Sequence, residues 1–210
     1  MSELISEKNK IINNINSLAD EISEIRKENG LKLEKQFSSQ AESVGLKGSS
    51  LKIKIDEIEP SINGKDEVDF LFTANPDQNP KSILKVASGG ELSRIMLILR
   101  GFIMDKDSGS LLIFDEADSG IGGVVAETIG KKIKTLSENN QVICITHLAQ
   151  VAKFADNHFL VTKKIDNETT KVSIKTLTIE GQIQELSRMM AGKSVSENTL
   201  EVAKEMLINS

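Results

Sequence analysis

The sequence predicts an α/β fold, preceded by a helical arm, and three observations predict it. From residue 83 onward, apolar helices alternate with two short continuous apolar runs, LLIFD (residues 111–115) and QVICIT (residues 141–146). Runs of that kind are expected of strands buried on both faces of a parallel sheet. The first run ends in two acids, Asp115 and Glu116, at the carboxyl edge where α/β sheets place their ligands. Before all of this, residues 1–29 carry a heptad-spaced apolar seam.

The elements follow in order. In the seam, Leu4, Ile11, Ile15, Leu18, Ile22 and Ile25 alternate at spacings of three and four, with polar Lys8 interrupting. This is the pattern of a coiled coil, although an amphipathic helix packed on its own domain would share it. Asn29-Gly30 predicts a helix stop, and a second helix is expected over residues 31–45 with Phe37, Ala41 and Val44 on one face. The period then changes to two. Leu51, Ile53 and Ile55 alternate with lysines, and Val68, Phe70 and Phe72 alternate after a turn at Asn63-Gly64. Residues 74–82 form a loop by composition. Ile95–Leu99 lie on an apolar helix, a helix over about residues 124–136 separates the two buried strands, and residues 158–163 and 170–177 predict a hairpin. The last thirty residues predict one or two amphipathic helices.

Composition excludes several classes. Hydrophobic residues make up 39% of the 210 and charged residues 27%, a balance that supports a real core. Aromatics are 3%, with neither Trp nor Tyr, too few for base-stacking platforms. The net charge is -5 and no basic run stands out, so any DNA contact must be local or come from parts outside this sequence. The single cysteine, Cys144, allows no intramolecular disulfide and is expected as a buried small hydrophobe. The polar start MSELISEKNK shows no signal-peptide pattern and no run has membrane-span length, so a cytoplasmic chain without membrane contact is expected.

Three motifs carry chemistry. Asp115 and Glu116 suit nucleotide hydrolysis, the first holding a magnesium shell and the second polarising the attacking water, although two acids after a strand can also cap a helix. Ser88-Gly89-Gly90-Glu91-Leu92-Ser93-Arg94 precedes the apolar helix. Its glycines let backbone approach a ligand closely, and the unpaired N–H groups of the helix start favour an anion. An ordinary serine cap is the plain alternative. His147, just past the second buried strand, can donate to a phosphate oxygen, although a lone histidine is more often structural.

The order of these motifs is more specific than any one of them. SGGELSR, apolar helix, hhhhDE, DSGIGG, buried strand and histidine resemble the C-terminal lobe of an ABC-type P-loop NTPase head: signature loop, Walker B, D-loop and switch histidine. Within that class, ASGGELSR (residues 87–94), LLIFDEADSGIGG (111–123), QVICITHLAQVA (141–152) and FTANP (72–76) resemble the RecN family of SMC-like DNA repair ATPases, over residues 36–208. There are two departures: Ala117 stands where the family tends to have Val, and Asp77 where Gly is usual.

The resemblance implies that residues 1–30 end a returning coiled-coil arm and that 31–210 form the lobe. It implies ATP and magnesium as cofactors. Ser88, Gly89, Gly90 and Glu91 would meet the γ-phosphate of ATP held by a partner head. Asp115 would hold magnesium through water, and Glu116 would act as base or orient the water. Asp118, Ser119 and Gly120 would run across the dimer interface, and His147 would sense the γ-phosphate. DNA, a homodimer of heads and a nucleoid-associated location are implied likewise. No G-x-x-x-x-G-K-[ST] occurs in the sequence, so a separate lobe is expected to bring the phosphate loop. The chain by itself is expected to bind ATP weakly without turning it over.

Two segments invite other readings. Residues 115–118 spell DEAD, but a helicase of that kind has no place for SGGELSR. Residues 192–194 spell GKS, but Ser187 occupies the position of the required first glycine, and a loop between terminal helices is expected there. A non-hydrolysing DNA-bridging clamp and a transporter domain remain as alternatives. Glu116 argues against the first and the N-terminal seam against the second.

Overall fold

The computed structural model describes residues 1–86, 88–103, 109–166, 169–192 and 194–209. Ala87, which opens the ASGGELSR stretch, and Lys193 of the GKS stretch lie outside the described residues. The chain divides into two compact units, Met1–Ser88 and Gly89–Ser210. No helix among the described residues is long and apolar enough to cross a membrane.

The first unit is built on α1 (Ser2–Ala41), whose 40 residues extend about 60 Å. The helix carries two stripes. Leu4, Ile11, Ile15, Leu18, Ile22 and Ile25, the expected seam, are all exposed. Ala19, Ser23, Gly30, Phe37 and Ala41 form the other stripe and are buried. Packed on α1 is an antiparallel sheet of β1 (Ser50–Ser61), β2 (Gly64–Thr73) and β3 (Lys81–Ser82), the last lying in the stretch expected as loop. A four-residue helix, α2 (Ile83–Val86), follows.

The expected break at Asn29-Gly30 is absent. The helix is continuous through it, and the expected second helix is the end of α1 followed by a 3-10 turn, Glu42–Val44. Gly30 keeps helical backbone without a positive φ, and it is buried in α1, where a side-chain carbon would stand in ordinary contact with Ile53 Cβ at 3.4 Å. The left-handed stop occurs instead at Gly45, with φ 77°.

The β1–β2 register sets Leu51 opposite Phe72, Ile53 opposite Phe70 and Ile55 opposite Val68, as the alternation predicts. Phe37 meets Phe72 edge-on, with ring centroids 6.3 Å apart. At the hairpin tip the side chain of Asp66 is buried and accepts from Ser23 Oγ at 2.8 Å and Arg26 Nη1 at 3.0 Å. Arg26 Nη2 also donates to the Asn63 carbonyl at 2.7 Å. Burial pushes the Asp66 carboxyl upward, but the bonds from Ser23 and Arg26 outweigh it and hold the group below the usual range.

A depressed folded value means stability present above the unfolded value of about 4 and lost as pH falls through the folded one. Asp66→Asn is therefore expected to lower the melting temperature by a few degrees at neutral pH. The gap to wild type should close in melts run progressively below about pH 4, where wild type protonates as well. A gap independent of pH would mean the carboxylate's charge is not what holds the tip.

The second unit contains α3 (Gly89–Ile103), β4 (Leu111–Asp115), α4 (Gly123–Ser137), β5 (Gln141–Ile145), α5 (Ala149–Ala152), β6 (Phe159–Asp166), β7 (Thr169–Thr176), α6 (Ile179–Ala191) and α7 (Glu197–Ile208). β4 and β5 pair in parallel, and β6 and β7 form the expected antiparallel hairpin. Ile95, Leu97 and Ile98 of α3, Ala126, Ile129 and Leu136 of α4, and Leu112 and Phe114 of β4 are buried. Gly130 lets α5 and the residues after it close on α4, since a side-chain carbon there would fall 3.1 Å from the Gln150 carbonyl oxygen and 2.4 Å from the Phe154 ring. Gly192, at φ 65°, ends α6, so the GKS stretch follows a helix end and not a strand.

Contrary to the expectation of strands buried on both faces, LLIFD and QVICIT are covered on one face only. Leu111 and Ile113 are 54% and 61% exposed, and Ile143 and Ile145 are 46% and 56% exposed. Register places these four on the same side of the two-stranded sheet. The strands are apolar on both faces because the sequence is written for a sheet covered twice, and the described residues supply one cover.

Candidate functional site

Because β4 and β5 are parallel, both carboxyl ends open on one edge. Asp115 closes β4 opposite Ile145, Glu116 follows it, and His147 stands two residues past β5. Glu116 has φ 55°, the left-handed region that few non-glycine residues occupy. Such a conformation persists only when its surroundings hold it.

The helix α3 does the holding. Ser93 Oγ donates to the Asp115 carbonyl at 2.6 Å. Arg94 Nη1 donates to the Ser119 carbonyl at 2.9 Å and, more weakly, to that of Ala117 at 3.5 Å. Ser119 N–H donates to the Glu116 carbonyl at 2.9 Å, closing the turn. Arg94 is buried, and its Nε has no hydrogen-bond partner. Burial pulls the guanidinium below its ordinary value, with nearby Glu91 opposing, yet arginine remains a cation in any protein setting.

The glycines of the motif are packed against this loop. A side-chain carbon at Gly89 would lie 3.3 Å from Glu116 Oε2. One at Gly90 would lie 3.0 Å from both the Glu116 carbonyl oxygen and Ser119 Cβ. Gly90 is buried, Gly89 is exposed, and Glu91 is half-buried in the first turn of α3. Ser88 is exposed and is the last residue of the first unit.

Asp118 points inward. It is 2% exposed, and its Oδ2 accepts from Thr146 Oγ1 at 2.5 Å and from the His147 N–H at 3.1 Å. His147 Nδ1 lies 3.3 Å from the same oxygen, while the histidine side chain is 72% exposed. Gly120, at φ 72°, is exposed with open space around its α-carbon. Cys144 is half-buried, and burial, with Asp118 and Asp115 adding to it, pushes its thiol up to about 12, as befits an unreactive side chain.

The structure thus brings Gly89, Gly90, Asp115, Glu116 and Ser119 together and links them through Asp118 to His147. Ser93, Arg94 and Thr146 belong to the same cluster. They stand inside SGGELSR and ITH, but nothing in the linear sequence marks them as partners of the acid loop.

Among the described residues no group of three His, Cys, Asp or Glu could hold a metal unaided. Asp115 offers a single carboxylate. That fits magnesium, which usually takes one or two carboxylates and fills its shell with water and phosphate oxygens.

No protein-family model matches the chain. It is 39% identical over 191 residues to the DNA repair protein RecN of Rickettsia prowazekii (strain Madrid E), a match covering 90% of this chain and 34% of that protein. The chain is a RecN relative. It is also 37% identical over 210 residues to RecN of Vibrio cholerae serotype O1, covering 99% of the chain and 38% of that RecN. The chain therefore spans little more than a third of the length of these RecN proteins.

Among solved structures it is similar to the Smc head domain with a coiled coil and joint from Pyrococcus yayanosii. The TM-score is 0.59 at 20% identity, covering 90% of this chain and 35% of that one. A second is the Smc head domain with an extended coiled coil, bound to the C-terminal domain of ScpA, from Pyrococcus furiosus. There the TM-score is 0.55 at 21% identity, covering 90% of this chain and 45% of that one. The fold of this RecN relative is that of an SMC-type ATPase head lobe, and its long N-terminal helix fits a coiled-coil arm.

Proposed function

We propose that the chain is the signature-bearing half of an ATP-hydrolysing head that works in DNA double-strand break repair. The observation that carries this reading is the clamp of Ser93 and Arg94 on the backbone of residues 115–119. It joins the signature helix and the two acids at one sheet edge, and through Asp118 it reaches the histidine.

In this reading ATP supplies the phosphoryl group and magnesium neutralises its charge. Asp115 holds the magnesium through water. Glu116, fixed in its left-handed backbone, orients the attacking water and takes its proton. The start of α3, with Ser88, Gly89, Gly90 and Glu91, faces the γ-phosphate of a partner head, and Ser119 and Gly120 border that interface. His147 meets the γ-phosphate on its own side. Two heads close around two ATP molecules because each completes the other's site. Residues 1–30 end the coiled-coil arm, 31–210 form the lobe, and the protein works in the cytoplasm beside DNA.

The bare face of β4–β5 supports a further lobe. Leu111, Ile113, Ile143 and Ile145 form an apolar surface of the kind parallel sheets bury. A lobe bringing the phosphate loop would cover it. For DNA, the register of β6–β7 sets Lys164 directly opposite Lys171, two like charges that favour an anion between them.

The test measures ATP turnover by the chain alone and by the chain joined to a lobe carrying a phosphate loop. No turnover alone and turnover when joined is the expected result. Turnover by the chain alone would overturn the shared site, and none in the joined form would favour a non-hydrolysing clamp. DNA retention by the joined form, with Lys164→Gln and Lys171→Gln together flattening its salt dependence, tests the DNA assignment.

A further inference from the structure

We propose that Asp118 is the positioning residue for His147, fixing which ring nitrogen faces the nucleotide. Its effect on turnover rests on the function proposed above, but its effect on the ring does not.

A carboxylate 2% exposed is costly unless donors surround it. Asp118 Oδ2 has the Thr146 hydroxyl at 2.5 Å, the His147 N–H at 3.1 Å and His147 Nδ1 at 3.3 Å. One oxygen thus anchors both the main chain and the ring of the same residue. Thr146 Oγ1 also accepts from the Leu148 N–H at 3.0 Å, which fixes the turn that carries the histidine.

The chemistry follows from what each atom can do. An ionised carboxylate only accepts. Nδ1 at 3.3 Å must therefore carry its proton, or two lone pairs would face each other. That leaves Nε2 on the exposed side as the nitrogen that exchanges a proton or meets a phosphate oxygen. Asparagine would lose this selectivity, because its amide can turn an NH2 toward Nδ1 and favour the opposite tautomer. The anchor is itself held. The carbonyls on either side of Asp118, at Ala117 and Ser119, both accept from Arg94 of the signature helix.

Only two histidines, His147 and His158, are present, so 15N-histidine labelling of the full chain gives two ring systems, assigned with His158→Gln. In the neutral ring, His147 is expected to carry its proton on Nδ1. Asp118→Asn should move the proton population to Nε2, and Thr146→Val should leave it on Nδ1. The unchanged His158 signals report that each variant is folded. A wild-type His147 ring protonated mainly on Nε2 overturns the proposal even if no variant folds, and so does an unchanged tautomer in folded Asp118→Asn.

In the joined, ATP-hydrolysing form, Asp118→Asn should lower kcat by up to about 100-fold with KM unchanged, and should add nothing to His147→Gln. A tautomer shift with normal turnover would leave the positioning intact and count against His147 as the phosphate-facing residue. Further loss on top of His147→Gln would show that Asp118 acts by another route and overturn its role in turnover.

Discussion

Glu116→Gln is expected to slow ATP turnover in the joined head by about 100- to 10,000-fold, the range a lost general base produces. The exchange keeps the size of the side chain and its hydrogen-bonding reach but removes the charge that draws a proton from water. Its backbone context makes the substitution informative. Glu116 sits at φ 55°, and glutamine tolerates that region no better and no worse than glutamate, so folding should hardly change. Gly89, 3.3 Å from the carboxylate when extended by a carbon, leaves room for the amide as it does for the acid. Under the proposed function, pairing of heads around ATP should persist, because the signature helix and the anchor of the loop are untouched. Glu116→Gly provides the opposing control. It too should abolish turnover, yet it relieves a left-handed strain of about 1 to 2 kcal/mol and should melt no lower than wild type. The pair separates a site strained for chemistry from a site strained by accident. Turnover surviving Glu116→Gln would remove this residue from the reaction and with it the hydrolysis reading.

Much of this site is visible in the sequence because its signals are local. The alternation of Leu51, Ile53 and Ile55 marks a half-buried strand whatever lies elsewhere, and the structure has β1 there. LLIFDE and ITH place acids and a histidine at strand ends, and parallel pairing does the rest. What escapes the sequence are features set by distant residues. A glycine inside a helix looks the same whether it ends the helix or continues it, and Gly30, buried beside Ile53, does the second. Asp118 sits in a motif that suggests an outward loop, yet its partners Thr146 and His147 are 28 and 29 positions away. The apolar character of Leu111 and Ile113 is a different case. The sequence correctly marks residues that belong in a core, but the described chain leaves them bare. Periodicity reports the burial a residue is suited to, and it does not say which chain or lobe provides the cover.

Gly90→Ala and Gly101→Ala are expected to move the protein in opposite directions, although both lie in α3. At Gly101 a side-chain carbon would meet nothing within 4 Å. Alanine there removes backbone freedom from the unfolded chain and should stabilise by about 0.5–1 kcal/mol, with turnover unchanged. At Gly90 the same carbon would lie 3.0 Å from the Glu116 carbonyl oxygen, 3.0 Å from Ser119 Cβ and 3.3 Å from Arg94 Nη1. Two of these three groups belong to the acid loop, and Arg94 is the side chain that holds it. The loop cannot retreat without lengthening its bonds from Ser93 and Arg94. Gly90→Ala should therefore cost about 1–3 kcal/mol of stability, as overpacking does. It should also cost up to about 100-fold in turnover, since a few tenths of an ångström at Glu116 displace the oriented water. Melting temperature and kcat measured on both variants decide the matter. If Gly90→Ala proves as harmless as Gly101→Ala, the contact between signature helix and acid loop does not position Glu116. The glycine would then serve only the approach of a partner head's phosphate. If stability falls and turnover holds, the contact is packing alone. If both fall together, the signature helix sets the geometry of its own chain's acids before any partner arrives.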